Sequence, residues 1–119
     1  RFMEIFDELN IDARWETPQE WINPPYPLQC LTLTRVLEEA LTNIIKHSKA
    51  TKVEISLMQT EHSTLLEIAD NGIGFNPDIV EDTIHVGLHS MQMRVQRTHG
   101  NFILKSSNQG TIIQITFNH

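Results

Sequence analysis

Cysteine is almost absent from this chain of 119 residues. Cys30 stands alone, so no internal disulfide can form and a reducing compartment fits. Its expected place is that of a small buried apolar residue. No run of about 18 apolar residues occurs, which excludes a bilayer-spanning helix. The opening Arg1-Phe2-Met3-Glu4 has neither the basic head nor the apolar stretch of a signal peptide. It also lacks an initiator Met, so a piece of a longer protein is expected. Clustered Lys and Arg are missing: 9 basic residues face 15 acidic ones, and the formal net charge is −6. That balance argues against a nucleic-acid surface. There is no low-complexity tract, internal repeat or domain boundary, so residues 1–119 read as one domain with one core.

What is present begins with Phe2, Ile5, Phe6 and Leu9, spaced as one helical face. Residues 13–17 read as a short strand with Ala13 and Trp15 on one side and Arg14 and Glu16 on the other. Between Pro18 and Pro27 the chain carries Trp21, Pro24-Pro25 and Tyr26, a stiff extended connection. A long helix is expected over 27–47. Val36, Leu37, Ala40, Leu41, Ile44 and Ile45 form its apolar stripe, and Glu38 faces water. Arg35, Glu39, Asn43 and Lys46 or His47 form a second row, stacked on one side by spacings of three and four. Val53, Ile55 and Leu57 alternate with polar residues as a strand, a loop follows at 60–63, and a second strand at 64–69 ends on Asp70. A long connection, 71–87, leads to a short helix marked by Leu88, Met91 and Val95, with Gly100 as its stop. Strands at 102–106 and 111–117 close the chain, with Ile113, Ile115 and Phe117 on one face. The order gives an α/β two-layer sandwich: a mixed, mostly antiparallel sheet with helices on one face.

Three clusters carry chemistry. Asn43 offers an uncharged carbonyl oxygen suited to a Mg²⁺ ion that already holds phosphate oxygens. Glu39, one turn earlier, can orient or deprotonate a nucleophile beside that ion. The same pair also suits a solvated helix edge. Asp70 ends an apolar strand and is followed by Asn71-Gly72-Ile73-Gly74. A carboxylate only accepts hydrogen bonds, so it can select the exocyclic amine of adenine over the carbonyl of guanine. A plain turn is the alternative, since Asp-Asn-Gly is common turn chemistry. Third, Gly87-Leu88 is expected to open a helix, whose free N–H groups would accept phosphate, with Arg94 further along; a plain helix start is the alternative.

In order and spacing these clusters match the ATP-binding superfamily of gyrase, heat-shock chaperones, histidine kinases and mismatch-repair ATPases. The chain resembles the catalytic domain of two-component sensor histidine kinases, in particular the nitrate-sensor subgroup. The resemblance rests on the block from Arg35 through Glu39-Ala40-Leu41-Thr42-Asn43 to Lys46-His47-Ser48-Lys49-Ala50. It rests also on Asp70-Asn71-Gly72-Ile73-Gly74-Phe75, on Gly87-Leu88 with Met91 and Arg94, and on Gly110-Thr111. It implies the Bergerat-type ATP-binding fold and the cofactors ATP and Mg²⁺. It implies that Asn43 binds Mg²⁺ and that Glu39 assists phosphoryl transfer. Lys46 and His47 would lie near the phosphates, Asp70 would hold adenine, and Thr111 would support the same base edge. Gly72 and Gly74 would shape the base pocket, and the loop up to Gly87 would be a lid, with Leu88 and Arg94 beyond it.

The resemblance further implies partners: the protein's own dimerisation and phospho-acceptor domain, and a response regulator with a helix-turn-helix output domain. The parent would be a homodimer and the domain cytoplasmic, in some sensors as part of a membrane-anchored protein. Two departures stand out. Ser90-Met91-Gln92-Met93-Arg94 replaces the subgroup's usual Gly-Met-Arg-Glu-Arg, and His99-Gly100 replaces a Gly-Gly pair. None of the six histidines sits in an acceptor-helix setting, so the acceptor is expected outside this chain. The rival readings are a nucleotide-sensing module or degenerate kinase, and a serine kinase of the anti-sigma type.

Overall fold

The computed structural model describes residues 2–18, 20, 22, 25–72 and 82–118, with side chains at 2, 3, 47, 48 and 82–86 left aside. The elements run α1 (Phe2–Glu8), β1 (Asp12–Glu16), α2 (Pro27–Asn43), a π turn (Ile44–Ser48), β2 (Lys52–Gln59), β3 (Ser63–Asp70), α3 (Asp82–Arg97), β4 (Asn101–Ser107) and β5 (Gly110–Asn118). The five strands form one sheet in the order β1-β2-β3-β5-β4. β1 pairs with β2 in parallel and every other pair is antiparallel. The parallel pair follows from the connection: α2 crosses over between β1 and β2, as parallel strands require.

Strand register explains which face is buried. Ile55 pairs with Ile68, Ile68 with Ile113 and Ile113 with Leu104, so these side chains point to one side. On that side Val53, Ile55, Leu66, Ile68, Ile113, Ile115 and Phe117 are buried with Val36, Ala40, Leu41 and Ile44 of α2 and its π turn, and with Met91 and Val95 of α3. On the other side Glu54, Met58, Glu67, Gln114 and Lys105 are exposed or half-buried. The helices therefore cover one face, as the alternation of apolar and polar residues requires.

α2 begins at Pro27, a first-turn position where the missing N–H costs nothing. The Gln29 side chain reaches back to accept the backbone N–H of Tyr26 at 3.0 Å. The buried stripe of α2 is Gln29, Thr32, Val36, Ala40 and Leu41. Cys30 falls beside that stripe and is exposed, not buried as its type suggested; its thiol points at the Pro25 carbonyl, 3.6 Å away. The expected α-helix over 27–47 is α-helical only to Asn43, after which Ile44–Ser48 continue as a π turn and Lys49 takes a left-handed conformation with φ 55°. Glu38 is exposed, as expected.

Ala13 and Trp15 share one side of β1, as expected, in register with Val53 and Ile55, and Trp15 remains 42% exposed because β1 is the edge strand. Two further expectations shift. Leu9 is 49% exposed just past the end of α1, and Phe6 and Ile11 fill the core in its place. α3 stops at Arg97 and the left-handed residue is His99 (φ 61°), while the Gly100 N–H bonds back to the Val95 carbonyl at 3.0 Å. Gly100 is needed there for a different reason: a side chain would overlap Phe117 and Val95.

Candidate functional site

The covered face of the sheet is apolar along most of its length and turns polar at one end. There Val53 of β2 pairs with Asp70 of β3, Asp70 with Thr111 of β5, and Thr111 with Ser106 of β4. Register thus sets three polar side chains in one cross-strand row. The Ser106 and Thr111 hydroxyls are hydrogen-bonded at 2.9 Å, and Thr111 is buried. Asp70 is half-buried, and its Oδ1 accepts the Gly72 N–H at 2.8 Å. Burial pushes the Asp70 carboxyl above the ordinary carboxylate value, and backbone hydrogen bonds from Gly72 and Thr111 pull only part of the way back. A carboxylate has about four acceptor positions, so these bonds leave capacity for a donor on a guest.

The turn around this carboxylate is tightly fitted. Gly110 has φ 142° and lies so close to the Asp70 carbonyl that any Cβ would overlap it. Glycine is required there both for conformation and for space. Gly72 is buried beside Asp70, whereas Gly74 lies outside the described residues. A hollow of about 350 Å³ lined by Ala69, Lys105, Ser107 and Ile112, with Asp70 at its edge, lies toward the uncovered face of the sheet, opposite to the row of Asp70, Thr111 and Ser106.

A second hollow, of about 410 Å³, lies between α2 and α3. It brings together three of the expected site residues, Glu39, Gly87 and Arg94, with Arg35, Thr42 and Ser90 around them. The Glu39 carboxylate sits directly against Gly87, in the space a side chain at 87 would occupy. Gly87 therefore matters through close approach. It does not open a helix: α3 begins at Asp82, so the connection after Asn71 is shorter than expected and Gly87 lies within a continuous helix. The N–H of a residue inside a helix is used by the helix, so the phosphate-binding role inferred from free N–H groups at Gly87 does not hold in this conformation. The Asp82–Val86 turns that precede it have no apolar repeat strong enough to show in the sequence. Leu88 is partly buried against the core, and Arg94 is exposed at the mouth of the cleft.

Asn43 is half-buried at the last α-helical position of α2, and Lys46 is exposed on the π turn that follows. π turns inside helices recur at functional sites. The His47 side chain lies outside the described residues. Asn43 lines neither hollow. The described residues thus give a Glu39 group in the cleft between α2 and α3 and an Asp70 group in the polar row of the covered sheet face, with Asn43 and Lys46 at the end of α2. That end leads directly into Ala50 and β2, whose first paired residues lie beside Asp70. Sequence reasoning missed Ser106 as the partner of Thr111. The signal was available: the two flank a tight β4–β5 turn and must face each other if the turn has two residues.

Residues 30–119 match the family described as histidine kinase-, DNA gyrase B-, and HSP90-like ATPase. The sensor protein VraS of Staphylococcus saprophyticus is 39% identical over 84 residues, which are 70% of this chain and 24% of that protein. The sensor histidine kinase LiaS of Bacillus subtilis is 32% identical over 117 residues, 94% of this chain and 31% of LiaS. The nitrate/nitrite sensor protein NarX of Escherichia coli is 30% identical over 90 residues, 75% of this chain and 15% of NarX. The chain therefore spans less than a third of each of these relatives. Two solved structures share its fold. The histidine kinase domain of the Erythrobacter litoralis EL346 blue-light activated histidine kinase has a TM-score of 0.76 at 18% identity, over 98% of this chain and 55% of that one. The Acinetobacter baumannii histidine kinase AdeS has a TM-score of 0.76 at 19% identity, over 98% and 58%. The chain belongs to the histidine kinase-, DNA gyrase B- and HSP90-like ATPase family, with sensor histidine kinases among its relatives.

Proposed function

We propose that this chain is the ATP–Mg²⁺-binding catalytic domain of a sensor histidine kinase. It presents the γ-phosphate of ATP to a histidine on an adjacent dimerisation domain, for relay to a response regulator with a helix-turn-helix output domain. The parent acts as a homodimer, and this domain works in the cytoplasm. The observation that carries the reading is the half-buried Asp70 carboxylate, held by backbone N–H groups at the polar end of the covered sheet face. It is an acceptor with spare capacity, in a family of ATPases, and suits the exocyclic amine of adenine. Thr111 and Ser106 extend the polar row along the base edge.

Toward the phosphates, Lys46 supplies positive charge from the π turn, and His47 lies near the phosphates beside it. Asn43 would hold Mg²⁺ through its uncharged amide oxygen, and the chemistry supplied there would be neutralisation of charge on the transferring phosphoryl group. Glu39, one turn before Asn43, receives the proton that the attacking histidine ring loses as its nitrogen bonds to phosphorus and the bond to the leaving ADP oxygen breaks. Positioning and charge neutralisation supply most of the rate. Arg94 faces the Glu39 cleft and adds charge there. Gly74 belongs to the base pocket with Gly72.

The test uses the full-length protein and γ-labelled ATP. Acid-labile, base-stable phosphohistidine is the expected product. Bound nucleotide with no phosphohistidine would instead support a nucleotide-sensing module, and an acid-stable phosphoester would support a serine kinase.

A further inference from the structure

Between the two residues that contact each other across the base turn, Asp70 and Gly72, stands Asn71, and its side chain is engaged elsewhere. Its Oδ1 accepts the Thr51 N–H at 2.9 Å and the Lys52 N–H at 2.8 Å. Its Nδ2 donates to the Thr51 Oγ1 at 2.9 Å, and its own N–H donates to the Lys52 carbonyl at 3.2 Å. All of these bonds go to the segment where β2 begins, directly after the π turn that carries Lys46 and the left-handed Lys49. The bonds are made at an exposed position, where water would otherwise satisfy the same groups. The Val53–Asp70 pair already joins the two strands; these bonds carry the junction one residue past the end of β3, into the turn between Asp70 and Gly72, and one residue back from β2, toward the end of α2.

We propose that Asn71 is a positioning residue: it locks the turn that bears the base-binding carboxylate to the turn that bears the phosphate- and metal-binding residues, so that one nucleotide spans both. The proposal rests on the nucleotide reading above. Asp70 and Gly72 bind on one side of the Asn71 backbone while its amide clamps the other, which transmits the spacing through a single residue.

The experiment measures dissociation constants of the full chain for adenosine and for Mg·ATP by titration calorimetry. Asn71→Ala is expected to lower the preference for Mg·ATP over adenosine by about fivefold or more, because the base contacts survive while the phosphate side loses its fixed distance. Asn71→Asp keeps acceptor oxygens for both N–H groups and is expected to restore the preference to within about twofold of wild type. A merely structural role would lower the melting temperature and leave the preference unchanged; an unchanged preference in Asn71→Ala overturns the proposal. If that variant does not fold, Thr51→Val removes only the hydroxyl partner. A preference lowered by about twofold there supports the proposal and an unchanged one overturns it. A wild-type chain that binds neither ligand overturns the nucleotide reading too, which separates the two failures.

Discussion

Replacing Asp70 by Asn tests the site through two effects of opposite sign. Burial is the largest influence on this carboxyl and raises its pKa, so the fold prefers the neutral form. A carboxyl with a raised folded pKa binds more protons in the native state than in the unfolded one. Its stabilising contribution is complete below the ordinary carboxylate value of 3.8 and is lost as pH rises through the raised folded value. At neutral pH the ionised carboxylate is thus a cost to the ligand-free protein. An amide in its place would remove that cost; its single oxygen accepts the Gly72 N–H but gives up one of the two carboxylate oxygens that serve the Gly72 and Thr111 N–H groups, which offsets part of the gain. Asp70→Asn is therefore expected to leave ligand-free stability at neutral pH within about 1 kcal/mol of wild type. On acidification the wild type should gain on the variant.

Nucleotide affinity should fall. An Asn side chain can turn its amide donors toward the adenine amine, or keep its oxygen there and lose the charge. Leaving a hydrogen-bonding group unpaired in a site costs about 1–3 kcal/mol, which is about fivefold to about 150-fold in Kd at about 1.4 kcal/mol per tenfold. Wild-type affinity should also fall as pH drops through the raised Asp70 value, and the variant should lose that pH dependence. Calorimetric titration with ATP and thermal melts from about pH 3 to about pH 8, a range that starts below the ordinary carboxylate value, give both readouts. An unchanged Kd in Asp70→Asn, with the variant folded, refutes the assignment of Asp70 to the base.

Asn43→Asp is expected to keep binding ATP in the absence of Mg²⁺ while Mg²⁺-dependent phosphotransfer in the full-length protein falls by about tenfold or more, as added charge and altered geometry disturb the metal position; equal transfer rates would remove Asn43 from the metal. Gly110→Ala places a Cβ against the Asp70 carbonyl at a φ of 142°, and a cost of about 1–3 kcal/mol is expected from strain alone. Chemical denaturation measures it, and a loss below about 0.5 kcal/mol would mean that the turn relaxes freely.

The positions legible in the sequence were those set by periodicity. The stripe Val36, Ala40, Leu41 and Ile44 needed only helical spacing, and Ile113, Ile115 and Phe117 needed only alternation. Asp70 was legible through its place at the end of an apolar strand and its order and spacing relative to the Glu39–Asn43 and Gly87 blocks, since Asp-Asn-Gly alone is common turn chemistry. The start of α3 was not legible. Asp82 to Val86 carry mixed polar and apolar residues, and a glycine at 87 argues for a helix boundary on propensity alone. Only the packing of Gly87 against Glu39 of α2 explains a glycine within the helix. Cys30 was misplaced for a related reason: residue type favours burial, but its angular position on α2 lies beside the buried stripe.

By itself the sequence determined the alternation of strands and helices, the faces they bury and the acidic residue that ends β3, because each depends on neighbours a few positions away. Tertiary structure alone decided that Asp70, Thr111 and Ser106 share one row, that Glu39 lies against Gly87, and that Asn71 ties the end of β3 to the start of β2. Those contacts join residues far apart in the chain, and their distances depend on how strands register and helices pack, which no local pattern encodes.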